Sequence, residues 1–212
     1  MHMSLGRAAR SFSTIGRRLP LCMASSSTVM KPSVGIGVVI LRHLKELDHP
    51  EVLLIRRGKA PSQGLISFPG GKQEIGETII ECAIREAMEE TGARVKYRSE
   101  WLRDIIEQRH NRIPRAFLSA SSLDHPVPFT AVDVIAVGDA DTQVVDADSI
   151  HYHYCVVEVA ATLDDPRQPI TAGDDADEAF WVSCDALDDE EMVPNLQHVV
   201  QHALSTFTIP RM

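Results

Sequence analysis

The sequence predicts an α/β protein: one mixed β-sheet between helical layers, an α/β/α sandwich. Three observations lead there. Several β-branched runs of strand length interleave with helical segments, two of those runs are close enough to return antiparallel, and one 14-residue stretch is an unbroken helix pattern. The 212-residue chain is 44% hydrophobic and 24% charged, enough to bury a real core. That balance excludes a collagen-like or fully disordered chain. No apolar run approaches the roughly eighteen residues that cross a bilayer, so no membrane anchoring is expected.

Charge divides the chain. Residues 1–45 hold no Asp or Glu, and residues 1–30 carry Arg7, Arg10, Arg17 and Arg18. That leader at +4 leaves −13 for the remainder of a chain whose total is −9. Spaced arginines, many serines and no continuous apolar core describe an organelle transit peptide rather than a secretory signal. The expectation is a disordered 1–30 leader addressed to mitochondria, with plastids as the alternative, or a cytosolic protein if translation starts at Met23 or Met30. Residues 31–212 are then a single domain. Cys22, Cys82, Cys155 and Cys184 are too scattered for a disulfide framework or a CxxC metal site. An acidic body argues against a nucleic-acid partner.

Taken in order, Val34 to Leu41 and Val52 to Ile55 read as strands, joined by a polar connection ending in Pro50. RRGKAPSQGLISFPGGKQEIGE is dense in Gly and Pro and reads as a long structured loop. Thr78 to Thr91 has no Gly or Pro, and Gly92 follows as a stop signal, so it reads as a helix. Val95 to Leu102 reads as a strand. Residues 103–128, with a weak helical period broken by Pro114, read as an insertion. Val132 to Val137, Tyr152 to Ala160 and Glu178 to Val182 are further strands, and Leu196 to Phe207 is an amphipathic helix.

The helix at 78–91 carries the chemistry. Glu86, Glu89 and Glu90 share an arc of about 100°, while Ile80, Ile84, Ala87 and Met88 lie on another side. Like charges three and four residues apart repel, so crowding them is explained by something positive among them. Clustered hard oxygens suit Mg²⁺ or Mn²⁺, and Arg85 can fix one carboxylate; a solvated acidic face is the plainer alternative on these residues alone.

The surroundings decide between the two. Gly71, five residues, Glu77, seven residues, Arg85–Glu86–Ala87–Met88–Glu89–Glu90, one residue, then Gly92 and Ala93 form a fixed spacing. In that spacing the chain resembles the Nudix hydrolase family, with every fixed position of the Nudix box filled. The resemblance implies the Nudix α/β/α sandwich with a catalytic loop–helix–loop, and a Mg²⁺-dependent enzyme (Mn²⁺ also serving) that hydrolyses a diphosphate. It implies Glu86 and Glu90 as metal ligands, Glu89 binding directly or through water, and Gly70 offering a carbonyl. Arg85 would orient the cluster, with Glu77 bracing the loop against it. Glu90 or Glu178 would take the proton from water.

Stretches from Arg56 and from Tyr152 resemble the ADP-ribose pyrophosphatase-like subgroup. That implies a nucleoside diphosphate linked to another moiety as substrate, ADP-ribose first, giving AMP and ribose 5-phosphate. An oxidised or non-canonical nucleoside triphosphate is the alternative substrate, and a non-catalytic nucleotide-binding domain the alternative role. Arg56, Arg57, Phe68 and Gly71 are the substrate-binding candidates, and a homodimer is the expected assembly. Where relatives often have Trp, this chain has Ile66. Trp101, Phe117, Phe129 and Tyr152 are the aromatic side chains available for stacking on a base.

Overall fold

A computed structural model describes residues 31–60, 62–97, 123–137, 150–173 and 175–212. Residues Lys31–Met212 make one compact unit. Strand β1 (Ser33–Arg42) is its spine. It pairs in parallel with β6 (Ile150–Ala161) on one side, from Ser33↔Tyr154 to Ile40↔Ala161. On its other side β1 divides its partners. Its first half meets β4 (Gly70–Lys72) through Gly35↔Lys72, Ile36↔Gly71 and Gly37↔Gly70, and its end meets β2 (Glu51–Arg57) at Leu41↔Val52. Strand β2 continues the sheet to β3 (Ile66–Ser67) and β7 (Ala176–Ser183), both antiparallel, while β5 (Val127–Val137) lies antiparallel against β6.

The period-2 alternation of these strands makes both faces of the sheet apolar, which is why the runs read as continuous rather than alternating. Ile36, Val38, Ile40, Leu53, Val159 and Ala161 point to one face, under helix α1 (Ile79–Thr91) with its Ile80, Ala83 and Ala87. Val39, Leu41, Val52, Leu54 and Ala160 point to the other, under helix α2 (Leu196–Thr206) with its Leu196, Val199, Val200 and Ala203. These are the two helical layers of an α/β/α sandwich. Among the described residues, no helix is long and apolar enough to cross a membrane.

Helix α1 begins and ends where its sequence says. Thr78 accepts from the Glu81 amide while Glu81 accepts from the Thr78 amide, a reciprocal capping box of the kind whose loss costs about 1 kcal/mol. Gly92 closes it with φ 66°, the left-handed conformation that a side chain resists, and donates to Met88.

Three readings shift. The loop from Arg56 contains the short strands β3 and β4, which Gly and Pro content concealed. β5 begins at Val127, not Val132, so the end of the 103–128 stretch is sheet; Leu123 is a core residue at 1% exposure. The rest of that stretch lies outside the described residues. Within the Val95–Leu102 strand reading, the described part shows only an isolated bridge from Val95 to Leu163. The leader at 1–30, Trp101 and Phe117 also lie outside the described residues.

Candidate active site

The site forms where β4 passes beneath the central and C-terminal turns of α1. Pairing of β4 with β1 is close enough that a Cβ on Gly70 would stand 2.1 Å from the Ile36 carbonyl oxygen. Only glycine permits that approach. Gly71 faces α1, and there the Glu86 carboxylate occupies the space a side chain would need. The Gly70 amide donates to Glu90 Oε2 at 2.7 Å, so the strand and the helix are tied through a candidate metal ligand.

Arg85 organises the acids. Its Nε and Nη2 donate to both oxygens of Glu77, at 2.8 and 3.0 Å. Its Nη1 donates to Glu86 at 2.7 Å and to Glu89, one turn further on, at 3.0 Å. Glu77 is itself fixed to the loop: its Oε2 accepts from the Glu74 amide and its carbonyl accepts from the Gln73 side chain. The rigid fork of guanidinium suits this three-carboxylate task; an ammonium has no such geometry.

The electrostatics follow from that arrangement. Hydrogen bonds from Arg85 hold the Glu77 carboxyl below its ordinary range. The same carboxylates raise the proton affinity of Arg85. Burial pushes Glu86 upward despite Arg85. Glu90, 3% exposed, is pushed by burial to about 7, while the Gly70 amide opposes that shift. Arg57 lowers and Asp175 raises the value through space, which brings both near this carboxylate. Burial also raises the Cys82 thiol to about 12; it accepts weakly from Arg85 and is no nucleophile.

Four carboxylates therefore gather around Arg85, which already bonds three of them, with Arg57 near the fourth, so negative charge still outnumbers positive in a half-buried place. That excess, in hard oxygen donors, fits a divalent cation. Among the described residues, no three His, Cys, Asp or Glu side chains stand already gathered at metal-binding spacing. Arg85 and the Gly70 amide hold the ligand candidates in the meantime.

The other candidates separate. Arg56 donates to Glu178, to Glu191 and to the Gly64 carbonyl. Its register partner is Glu178 on β7, so both project from the same face of β2–β7, the face of Val52 and Leu54 rather than that of α1. Glu178 is thus held by Arg56. Phe68, read as a substrate contact, is 5% exposed and packs in the core on the α2 side. Tyr152 lies beside Tyr154, with ring centroids 6.0 Å apart, and Phe129 packs edge-on against Phe207. His153 lies 3.7 Å from Asp133, an ordinary cross-strand pair.

Sequence reasoning passed over Asp175, which sits in an acidic run that looked solvated. The loop carrying it is drawn to the end of α1 by the Thr171 and Gly173 amides, which donate to the Thr91 and Glu90 carbonyls. It also passed over Glu158 on β6. The signal was present there: a single acid inside the apolar run CVVEVAA.

A mixed sheet with this loop and helix against it defines a Nudix-type scaffold. The family model described as the NUDIX domain matches residues 31–203, and the chain belongs to that family. An ADP-ribose pyrophosphatase of Methanocaldococcus jannaschii is 39% identical over 70 residues, 33% of this chain and 38% of that protein. A nudix hydrolase 1 of Caenorhabditis elegans is 46% identical over 56 residues, 26% of this chain and 15% of that protein. These matches span well under half of either relative's length. Among solved structures, a MutT/nudix family protein from Enterococcus faecalis superposes with a TM-score of 0.53 at 20% identity, covering 82% of this chain and 61% of that one. The NUDIX domain of Shewanella oneidensis NrtR, complexed with ADP ribose, superposes with a TM-score of 0.50 at 13% identity, covering 87% and 94%. Both likenesses are of fold.

Proposed function

We propose that this chain is a Mg²⁺-dependent hydrolase that cleaves the diphosphate of a nucleoside diphosphate linked to another moiety, with ADP-ribose as substrate and AMP and ribose 5-phosphate as products. The observation that carries the reading is the Glu86–Glu90 carboxylate pair, buried one helical turn apart above Gly70 and Gly71 and left with more negative charge than Arg85 compensates. The reading is supported by the ADP-ribose pyrophosphatase relative and by the ADP-ribose complex of a protein sharing the fold.

Glu86 and Glu90 would hold the metal, Glu89 would join directly or through water, and the Gly70 carbonyl would complete the protein's share. A divalent cation supplies charge neutralisation of the diphosphate and a more acidic water. This chain's own groups do the remainder. Arg85, clamped by Glu77, fixes the rotamers of Glu86 and Glu89 so that the ligand set is preorganised rather than assembled at each turnover. Arg57, near enough to stabilise the Glu90 carboxylate, is placed to meet a phosphate. Of the two carboxylates considered for taking a proton from water, Glu90 stands in the cluster while Glu178 is bound to Arg56 on the other face. From residues 1–30 alone we place the protein in mitochondria; a fluorescent fusion of that segment tests this.

The test incubates the purified chain with Mg²⁺ and a panel of ADP-ribose, NADH, dinucleoside polyphosphates, 8-oxo-dGTP and ordinary nucleoside triphosphates, with products resolved by chromatography. Release of AMP from ADP-ribose supports the proposal. Preference for a triphosphate would keep the chemistry and replace the substrate, and binding without turnover would replace the enzyme with a nucleotide-binding domain.

A further inference from the structure

Along the first half of β6 the sequence alternates His151, Tyr152, His153, Tyr154, Cys155. On a strand that alternation puts both histidines and the cysteine on one face and both tyrosines on the other. Val157, Val159 and Ala161, which continue the same alternation, pack on the α1 side, so His151, His153 and Cys155 share the α1 face. Strand β5 adds a further group there. Asp133 is the register partner of Cys155, and Ile135 that of His153. The Asp133 carboxylate also lies 3.7 Å from His153 Nε2. By itself that ion pair is ordinary. A thiol, an imidazole and a carboxylate on one patch of ladder are not.

This patch stands apart from the carboxylates of α1. Cys155 pairs with Val34 of β1, on whose other side runs β4. Two strand spacings, about 10 Å, thus separate Cys155 from the box strand. The patch is open to solvent because the cover of α1 ends here. In the row Ile36, Val157, Ala131 the β1 residue is 2% exposed. In the next row, Val34, Cys155, Asp133, the β1 residue is 40% exposed and the Asp133 side chain 70%. Cys155 is half-buried and its thiol is free.

We propose that Asp133, His153 and Cys155 bind a borderline transition-metal ion, Zn²⁺ above all, on the β5–β6 ladder. Directly opposed residues of an antiparallel pair have Cβ atoms about 5 Å apart and diagonal ones about 7–8 Å. A short thiol, a carboxylate and a longer imidazole span those distances to a single ion. His153 and Cys155 are also close along β6, about 7 Å apart. His151 lies about 13 Å from Cys155, out of reach of the same ion. Nitrogen and thiolate ligands select Zn²⁺, whereas the box oxygens suit the harder Mg²⁺. On binding, the Cys155 thiol gives its proton to solvent, and thiolate, neutral imidazole and carboxylate donate to the metal, with water completing four-coordination. As at the box, no three donors are already gathered among the described residues, and rotamer changes on this open face bring them together. The ion would staple the edge strand β5 to β6 where α1 no longer covers them.

The test is spectroscopic and needs no turnover. Co²⁺ occupies Zn²⁺ sites and reports a thiolate ligand by a charge-transfer band. The full chain is titrated with Co²⁺ under reducing conditions and excess Mg²⁺, beside Cys155→Ser, Asp133→Asn, His153→Ala and His151→Ala, each shown folded by its Tm. The wild type should develop the thiolate band, and Zn²⁺ should abolish it by displacement. Cys155→Ser should lack the band. Asp133→Asn and His153→Ala should each weaken Co²⁺ binding at the thiolate by about tenfold or more. His151→Ala should match the wild type. A wild type without the band, a band that survives in Cys155→Ser, or unchanged affinity in both Asp133→Asn and His153→Ala would overturn the proposal. The site is independent of the hydrolase reading, so Glu86→Gln should keep the band, and loss of it there would place the metal at the box instead.

Discussion

The Glu86 carboxylate lies directly over Gly71, with its oxygens 2.4 and 2.6 Å from the point where a Cβ would stand. The box glycine is therefore a seat for a metal-ligand candidate as well as a bend in the chain. Gly71→Ala should push Glu86 off its position while leaving the core untouched. We expect Mg²⁺ affinity, read by isothermal titration, to fall by about tenfold or more with a Tm near that of the wild type, because the methyl displaces only the end of a side chain. Unchanged Mg²⁺ affinity would show that Glu86 ligates from elsewhere.

Removing ligand charge without changing shape isolates the chemistry. Glu86→Gln and Glu90→Gln should each lower kcat by at least about a hundredfold, and a chelator should abolish wild-type turnover. Both substitutions relieve buried carboxyls whose protonation burial favours, so neither should lower Tm. Retention of turnover in both would remove the metal site from the mechanism.

Arg85→Lys tests positioning rather than charge. Lysine keeps the positive charge but lacks the fork that spans Glu77, Glu86 and Glu89. The expected result is a drop in kcat of about tenfold to a hundredfold with KM changed far less, since a loosened ligand set acts at the reacting centre. Glu77→Gln, which keeps an acceptor for Arg85, should fall between this variant and the wild type.

Glu158 gives stability a particular pH dependence. Its folded value, about 7, lies above the ordinary 4.5, so the folded state holds the proton more firmly than the unfolded chain. Its contribution is fully present below about pH 4.5 and is lost as pH rises through about 7, a change on the order of 3 kcal/mol. Urea unfolding at pH 5 and pH 8 should show this loss in the wild type, and Glu158→Gln should show a smaller difference between the two pH values. Equal slopes in the two proteins would mean that Glu158 is charged or solvated when folded.

What the sequence carried is clearest at α1. Thr78, Glu81 and Gly92 are local signals acting over one turn, so cap, capping box and stop were legible without tertiary information. The box spacing likewise placed Arg85 among its acids, because helix geometry converts intervals of three and four into neighbours. β3 and β4 were not legible. Two- and three-residue strands leave no periodicity, and only the approach of β1 makes them sheet. Phe68 was misplaced for a related reason: proximity in sequence to FPGG says nothing about which face of the sheet its ring enters.

By itself the sequence determined the family, the acidic helix and the two-faced apolar strands, since each is written in short-range spacing and composition. Tertiary structure decided which acids meet. It locked Glu178 to Arg56, brought Asp175 toward Glu90 through the loop tied to the end of α1, and laid Glu158 over Gly37. Those relations join residues from about 80 to more than 120 positions apart, and the side chain's face, fixed by strand pairing and register, is what brings them together or keeps them apart.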